Sequence, residues 1–137
     1  MKRRLGAMLA ALAMFASIGA SSVTASLAPT ETTPGNYQCP AGSTKIEPVS
    51  SGTYALVGGG SITIWVSNTA KGPEFSFDAD GATVGAVVVK GGPNYNTYIF
   101  SPKVDSASGL HSPLNLNNNK WYGLSHLCIE GTKKDDK

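Results

Sequence analysis

The sequence predicts an all-β fold, an antiparallel β-sandwich of about six to eight short strands with one disulfide. Three observations predict it. Apolar residues come in short runs that alternate or are rich in β-branched types. Turn-forming residues separate those runs at roughly 8–12-residue intervals. No stretch beyond residue 26 carries an amphipathic helical period of useful length.

Each strand has its own justification. Residues 44–49 contain Pro48, which cannot donate to a ladder, so this is an edge strand at best. Residues 53–57 (TYALV) form a short apolar run. In 61–67 (SITIWVS), Ile62, Ile64 and Val66 share one face, and Thr63 and Trp65 share the other. In 74–78 (EFSFD), Phe75 and Phe77 point inward. Residues 84–90 (VGAVVVK) are apolar and β-branched, and 95–100 (YNTYIF) are aromatic and β-branched. In 125–130 (SHLCIE), Leu127 and Ile129 share one face, and His126 and Cys128 the other. Between these lie Gly58-Gly59-Gly60, Lys71-Gly72-Pro73, Ala79-Asp80-Gly81, Gly91-Gly92-Pro93 and the asparagines near 115–119.

The ends have a different character. Lys2, Arg3 and Arg4 precede an apolar stretch of about 14 residues, and small residues follow. That is the pattern of a secretory signal peptide over 1–25, with cleavage after Ala25. The stretch is short of the ~20 residues that span a bilayer, so no transmembrane segment is expected in the mature chain. Residues 26–36 are rich in Thr, Pro and Ser and read as a disordered leader. The domain is expected over 37–131, and the polar residues 132–137 as a frayed tail. The formal charge of the whole chain is +2. Without the three N-terminal cations, eight lysines face nine acids, a net charge of −1 with no arginine. That balance argues against nucleic acid as a partner.

Cys39 and Cys128 are the only cysteines. In an exported chain a lone pair is expected to form one disulfide. It pins the first ordered segment to the last strand.

Residues 101–124 contain no clear strand pattern and are expected to form a long ordered loop. His111 and His126 stand near it and are expected to brace it by hydrogen bonds. With Ser112, Ser125 and Asp105 they also have the composition of a Ser-His-Asp hydrolase, but no G-x-S-x-G elbow is present. Asp78-Ala79-Asp80-Gly81 opens like a calcium loop, yet the closing Glu is replaced by Val89. Gly91-Gly92-Pro93-Asn94 precedes a strand instead of a helix, so it reads as a hairpin turn and not a phosphate cradle. No catalytic residue, metal site or cofactor is expected.

Several motifs carry a resemblance: Val89-Lys90-Gly91-Gly92, Gly109-Leu110-His111-Ser112-Pro113-Leu114-Asn115, and Gly123-Leu124-Ser125-His126 with Cys128. Over about residues 54–130 the chain resembles a widespread, largely uncharacterised class of small secreted bacterial β domains with V-K-G-G, G-L-H-S-P-x-N and G-L-S-H…C motifs. The resemblance implies export and a β-rich fold, and no established reaction. The polar insert 117–120 departs from the pattern.

The function these features predict is a secreted, non-enzymatic binding or structural module acting outside the cell. The alternatives are a carbohydrate-binding module and a secreted inhibitor of an extracellular enzyme. The expected partner is a glycan or another extracellular protein. The expected contact residues are Trp121, Tyr122, Tyr95 and Asn115, because aromatics give rigid contact area and asparagines add neutral donors and acceptors.

Overall fold

A computed structural model describes residues 25–134. Residues 1–24, nearly all of the segment expected to be a signal peptide, and the last residues, 135–137, lie outside the described residues. The strands are β1 (Glu31–Pro34), β2 (Thr44–Ile46), β3 (Gly52–Ala55), β4 (Ser61–Thr69), β5 (Gly72–Asp80), β6 (Ala82–Gly91), β7 (Asn94–Val104), β8 (Ser106–His111), β9 (Leu114–Asn115), β10 (Lys120–Trp121) and β11 (His126–Lys133). They form a five-stranded sheet, β1-β7-β6-β11-β2, a four-stranded sheet, β3-β4-β5-β8, and a small β9-β10 hairpin. All pairings are antiparallel.

The all-β expectation holds, and the alternation is what builds the core. Ile62 and Ile64 of β4 and Phe75 and Phe77 of β5 point inward from one sheet. Val84, Val87 and Val89 of β6, Tyr98 of β7 and Leu127 and Ile129 of β11 meet them from the other. Val88 faces the opposite side yet is only 4% exposed. It pairs with Cys128, and Cys39 is bonded to Cys128 with Cα atoms 5.3 Å apart. The disulfide lies on that outer face, which is why this strand reads as a continuous apolar run.

Strands outnumber the six to eight expected because polar segments join the sheets. The leader is the first correction. Residues 31–34 (ETTP) form β1 and pair with β7, from Glu31↔Thr97 to Pro34↔Asn94. Leu27 packs against the core, and its amide donates to the Gly109 carbonyl at 2.8 Å. An edge strand needs only one partner's backbone, so its side chains need not alternate. The tail is the second correction: β11 continues through Thr132 and Lys133, which pair with Thr83 and Ala82.

The third correction is the long loop. Residues 101–124 carry the end of β7, all of β8 and the β9-β10 hairpin. Phe75 pairs with Leu110 and Phe77 with Ala107, so β8 holds one residue more than β5 over that stretch. Gly109, at φ +81°, takes up the bulge, a conformation that suits glycine. The extra residue puts Ala107 and Leu110 three apart, which hides the strand from a period-2 reading.

The turns divide into two kinds. Gly92-Pro93 is the tip of the β6-β7 hairpin, as expected, with Gly91 opposite Asn94. Gly81 is different. It joins β5 to β6, which belong to different sheets, so 78–81 is a corner between layers and not a hairpin turn.

Candidate functional site

The chemically richest cluster grows from one cross-strand pair. Phe75 and Leu110 face the core, so their neighbours Glu74 and His111, paired on β5 and β8, face outward. Both are nevertheless buried, His111 at 5% exposure. The β9-β10 hairpin folds over them. Trp121 stacks on His111 with ring centroids 3.6 Å apart and planes 10° apart. Its indole Nε1 donates to Glu74 Oε2 at 3.1 Å. Its backbone amide donates to the Lys71 carbonyl at 2.6 Å, and the Lys71 ammonium lies 4.8 Å from the ring centroid.

Behind His111 the polar groups form a connected network. Its Nδ1 lies 2.8 Å from the Ser112 carbonyl, so Nδ1 carries the proton and donates. Asn96 Nδ2 donates to the His111 carbonyl at 2.9 Å, and Asn96 Oδ1 accepts from the Thr32 hydroxyl. The Tyr98 hydroxyl donates to the Leu27 carbonyl at 3.0 Å and accepts from the His111 amide at 3.1 Å. The Ser112 hydroxyl donates to the Tyr122 carbonyl. A groove of roughly 330 Å³ opens above this network, with Ser26 and Pro29 on one wall, Trp121 and Leu114 on the other, and Asn96 and His111 at its base.

Burial holds the His111 imidazole below its ordinary pKa of 6.5, against smaller opposing contributions from the Ser112 carbonyl and Glu74. The sign follows from linkage. A folded-state pKa lower than the unfolded one gives stability that is complete above about pH 6.5 and lost as pH falls through the folded value. Urea midpoints at pH 7.5 and 5 are therefore expected to differ more for the native chain than for His111→Gln. Equal acid losses in the two proteins would show that His111 does not contribute.

The expected contact residues do not all meet. Trp121, Tyr122 and Asn115 belong to the hairpin and its exit, but Tyr95 does not join them. Asn96 faces the groove, so Tyr95, its neighbour, faces the opposite side of β7. There it meets Tyr37, ring centroids 5.0 Å apart. Tyr122 is half-buried over Gly92, where a Cβ would come within 2.5 Å of its ring. Asn115 is consumed by the turn: its Oδ1 accepts from the Asn117 amide, and its carbonyl accepts from Asn118 and Asn119. Trp121 itself is half-buried, with His111 and Lys71 against its ring.

The bracing histidines separate as well. His111 braces the hairpin as expected. His126 does not touch it; its Nε2 meets the Tyr37 carbonyl at 3.1 Å and holds the segment between β1 and β2. Cys39, His126 and Cys128 present ligand-type atoms within 4.8 Å of one another, but the two sulfurs are bonded together. Asp105 pairs with Lys134 at 3.3 Å, so it does not orient His111. The sequence placed Trp65 with Thr63 on the strand face opposite Ile62 and Ile64; the structure leaves it 51% exposed in the middle of β4.

No protein-family model matches the chain, and no curated protein and no solved structure matches it either.

Proposed function

We propose that this chain is a non-enzymatic binding module that acts outside the cell. One observation carries this reading: Ser112, His111 and Asp105, from which a hydrolytic site would be assembled, are engaged with other groups of the fold and not with one another. Ser112 donates to a carbonyl, His111 Nδ1 donates to another, and Asp105 pairs with Lys134. A nucleophile, a base and its orienter must instead address one another. The N-terminal cationic and apolar segments support export, and the disulfide suits an oxidising compartment. Among the described residues, no helix is long and apolar enough to cross a membrane.

A glycan is the ligand class that the outer face of the four-stranded sheet favours. Trp65 is exposed there, paired with Ser76 and flanked on its own strand by Thr63 and Ser67. The Thr53 and Thr63 hydroxyls lie 2.9 Å apart beside it, and Asp78 stands opposite Thr63. A rigid indole among hydroxyls and a carboxylate offers a stacking surface and hydrogen-bond partners to a neutral polyol. The contact residue thus moves from Trp121, whose ring the fold uses, to Trp65. An inhibitor needs a rigid exposed loop; over 101–124 the structure has strands and an exposed tip at 116–119.

Retention on insoluble chitin, cellulose or peptidoglycan tests the glycan reading. The native chain is expected to be retained on at least one, and Trp65→Ala to elute with the void while keeping its urea midpoint. A native chain retained on none of the three removes the glycan. Retention that survives Trp65→Ala removes the platform.

A further inference from the structure

The outer face of the five-stranded sheet carries a second groove, of roughly 350 Å³, on the layer opposite Trp65. Its rows follow from the register. Glu130, Ala86 and Ile99 lie side by side across β11, β6 and β7. In the next row, Cys128, Val88, Thr97 and Glu31 lie across β11, β6, β7 and β1. The accessible floor between the banks is Ala86, Thr97 and Ile99, and Ile99 is 56% exposed. Each bank carries an exposed carboxylate, Glu130 on β11 and Glu31 on β1. The Tyr37–Tyr95 pair closes one end.

Neither carboxylate belongs to an ion pair among the described residues; the pairs present are Lys45–Glu47 and Lys134–Asp105. The lysines near this face are committed elsewhere. Lys103 Nζ donates to the Thr132 hydroxyl at 2.9 Å, and Lys90 Nζ donates to the Gly92 carbonyl. The groove thus offers two acidic banks, a floor on which Ile99 is exposed and Ala86 and Thr97 are half-buried, and two aromatic rings, with no cation of its own between the banks.

We propose that this groove docks an extended basic peptide segment of an extracellular partner protein, with Lys or Arg four residues apart and an apolar residue midway. The spacing is geometric. Glu31 and Glu130 stand three strands and one row apart, about 16 Å at ~4.8 Å per strand and ~6.8 Å per row. Four residues of extended chain cover about 13 Å at ~3.3–3.4 Å each, and the reach of the two long cationic side chains covers the rest. The central apolar side chain meets Ile99 and Ala86, and the flanking cations meet the carboxylates. A single amino group can satisfy only one bank at a time. The tyrosine rings add a face on which a guanidinium or ammonium can rest.

The probe is a capped seven-residue peptide with Lys at positions two and six and Leu at four, titrated into the oxidised protein at low salt. Binding is expected, and it is expected to weaken as salt rises. Glu31→Gln and Glu130→Gln are each expected to weaken it about two- to five-fold, the range of exposed ion pairs. Both positions are exposed, so unchanged thermal midpoints are expected to confirm that the variants fold. Trp65→Ala is expected to leave peptide binding unchanged, which keeps this result separate from the glycan reading. The proposal is overturned if the peptide does not bind, or if the two Gln variants bind as the native chain does. It is also overturned if a peptide of equal charge with adjacent lysines binds as well, or if a simple polyamine such as spermidine does.

Discussion

Replacing Cys39 and Cys128 together by serine is expected to lower stability by about 4–5 kcal/mol, on the chain-entropy estimate for a loop of this size. The two residues are 89 apart in sequence. Their bond closes most of the described domain into one ring, so the unfolded chain loses a large share of its freedom when the bond is present. The native state loses something too. Cys128 is 1% exposed beside Val88, and the bonded Cys39 segment covers both. His126 holds that segment by a single hydrogen bond to Tyr37. Small domains have only ~5–15 kcal/mol in total, so the variant is expected to be marginal. Equilibrium urea unfolding of the oxidised protein and the double serine variant measures the difference. With a slope of about 2 kcal/mol/M, the midpoint is expected to fall by roughly 2 M. A shift below about 1 kcal/mol would show that native packing, and not the crosslink, carries the domain.

The sheets were legible where one strand face is buried and the other is not. Ile62 and Ile64, Phe75 and Phe77, and Leu127 and Ile129 announce their strands by spacing alone, and all six are core residues. What could not be read were strands held by backbone pairing. β1 (ETTP) has no apolar alternation, and its contribution to the fold lies in amides, carbonyls and the Thr32 hydroxyl, with the Thr30 hydroxyl just before it; both hydroxyls bond to β7. β8 is obscured by its bulge, because inserting one residue shifts Ala107 out of phase with Leu110. The candidate site shows the same division. His111 was recognisable as a brace, because a histidine between Leu110 and Ser112 next to a loop needs polar partners. Its real partners were not recognisable. Glu74 stands 47 residues from Trp121, and nothing local to either residue records that they will meet. The asparagines were legible as turn formers before they were legible as ligands, and the structure uses Asn115 and Asn118 for the turn.

Tyr98 is where the polar leader is fastened to the core, and substitutions there are expected to separate two effects. Its ring is 2% exposed, and its hydroxyl holds the Leu27 carbonyl and receives the His111 amide. Tyr98→Phe keeps the ring and strands a buried amide and a carbonyl, so a loss of about 1–3 kcal/mol is expected. Tyr98→Ala removes the ring as well and leaves a cavity between the sheets, for which about 3–5 kcal/mol is expected. If the hydroxyl fastens the leader, proteolysis near residues 25–30 is expected to accelerate already in Tyr98→Phe. Alkaline titration gives an independent check. Burial pushes the Tyr98 pKa up to about 12, partly opposed by its hydrogen bond to the His111 backbone. A raised folded-state value means that this stability is complete below the unfolded pKa of about 10 and is lost as pH rises through about 12. Tyr98→Phe is expected to lack that alkaline loss while starting from a lower midpoint at neutral pH. Absorbance at the phenolate band follows the ionisation directly: in the native protein one tyrosine should resist until the fold opens. A Phe variant with the native urea midpoint and native protease resistance would mean that the leader is held by its β1 ladder alone.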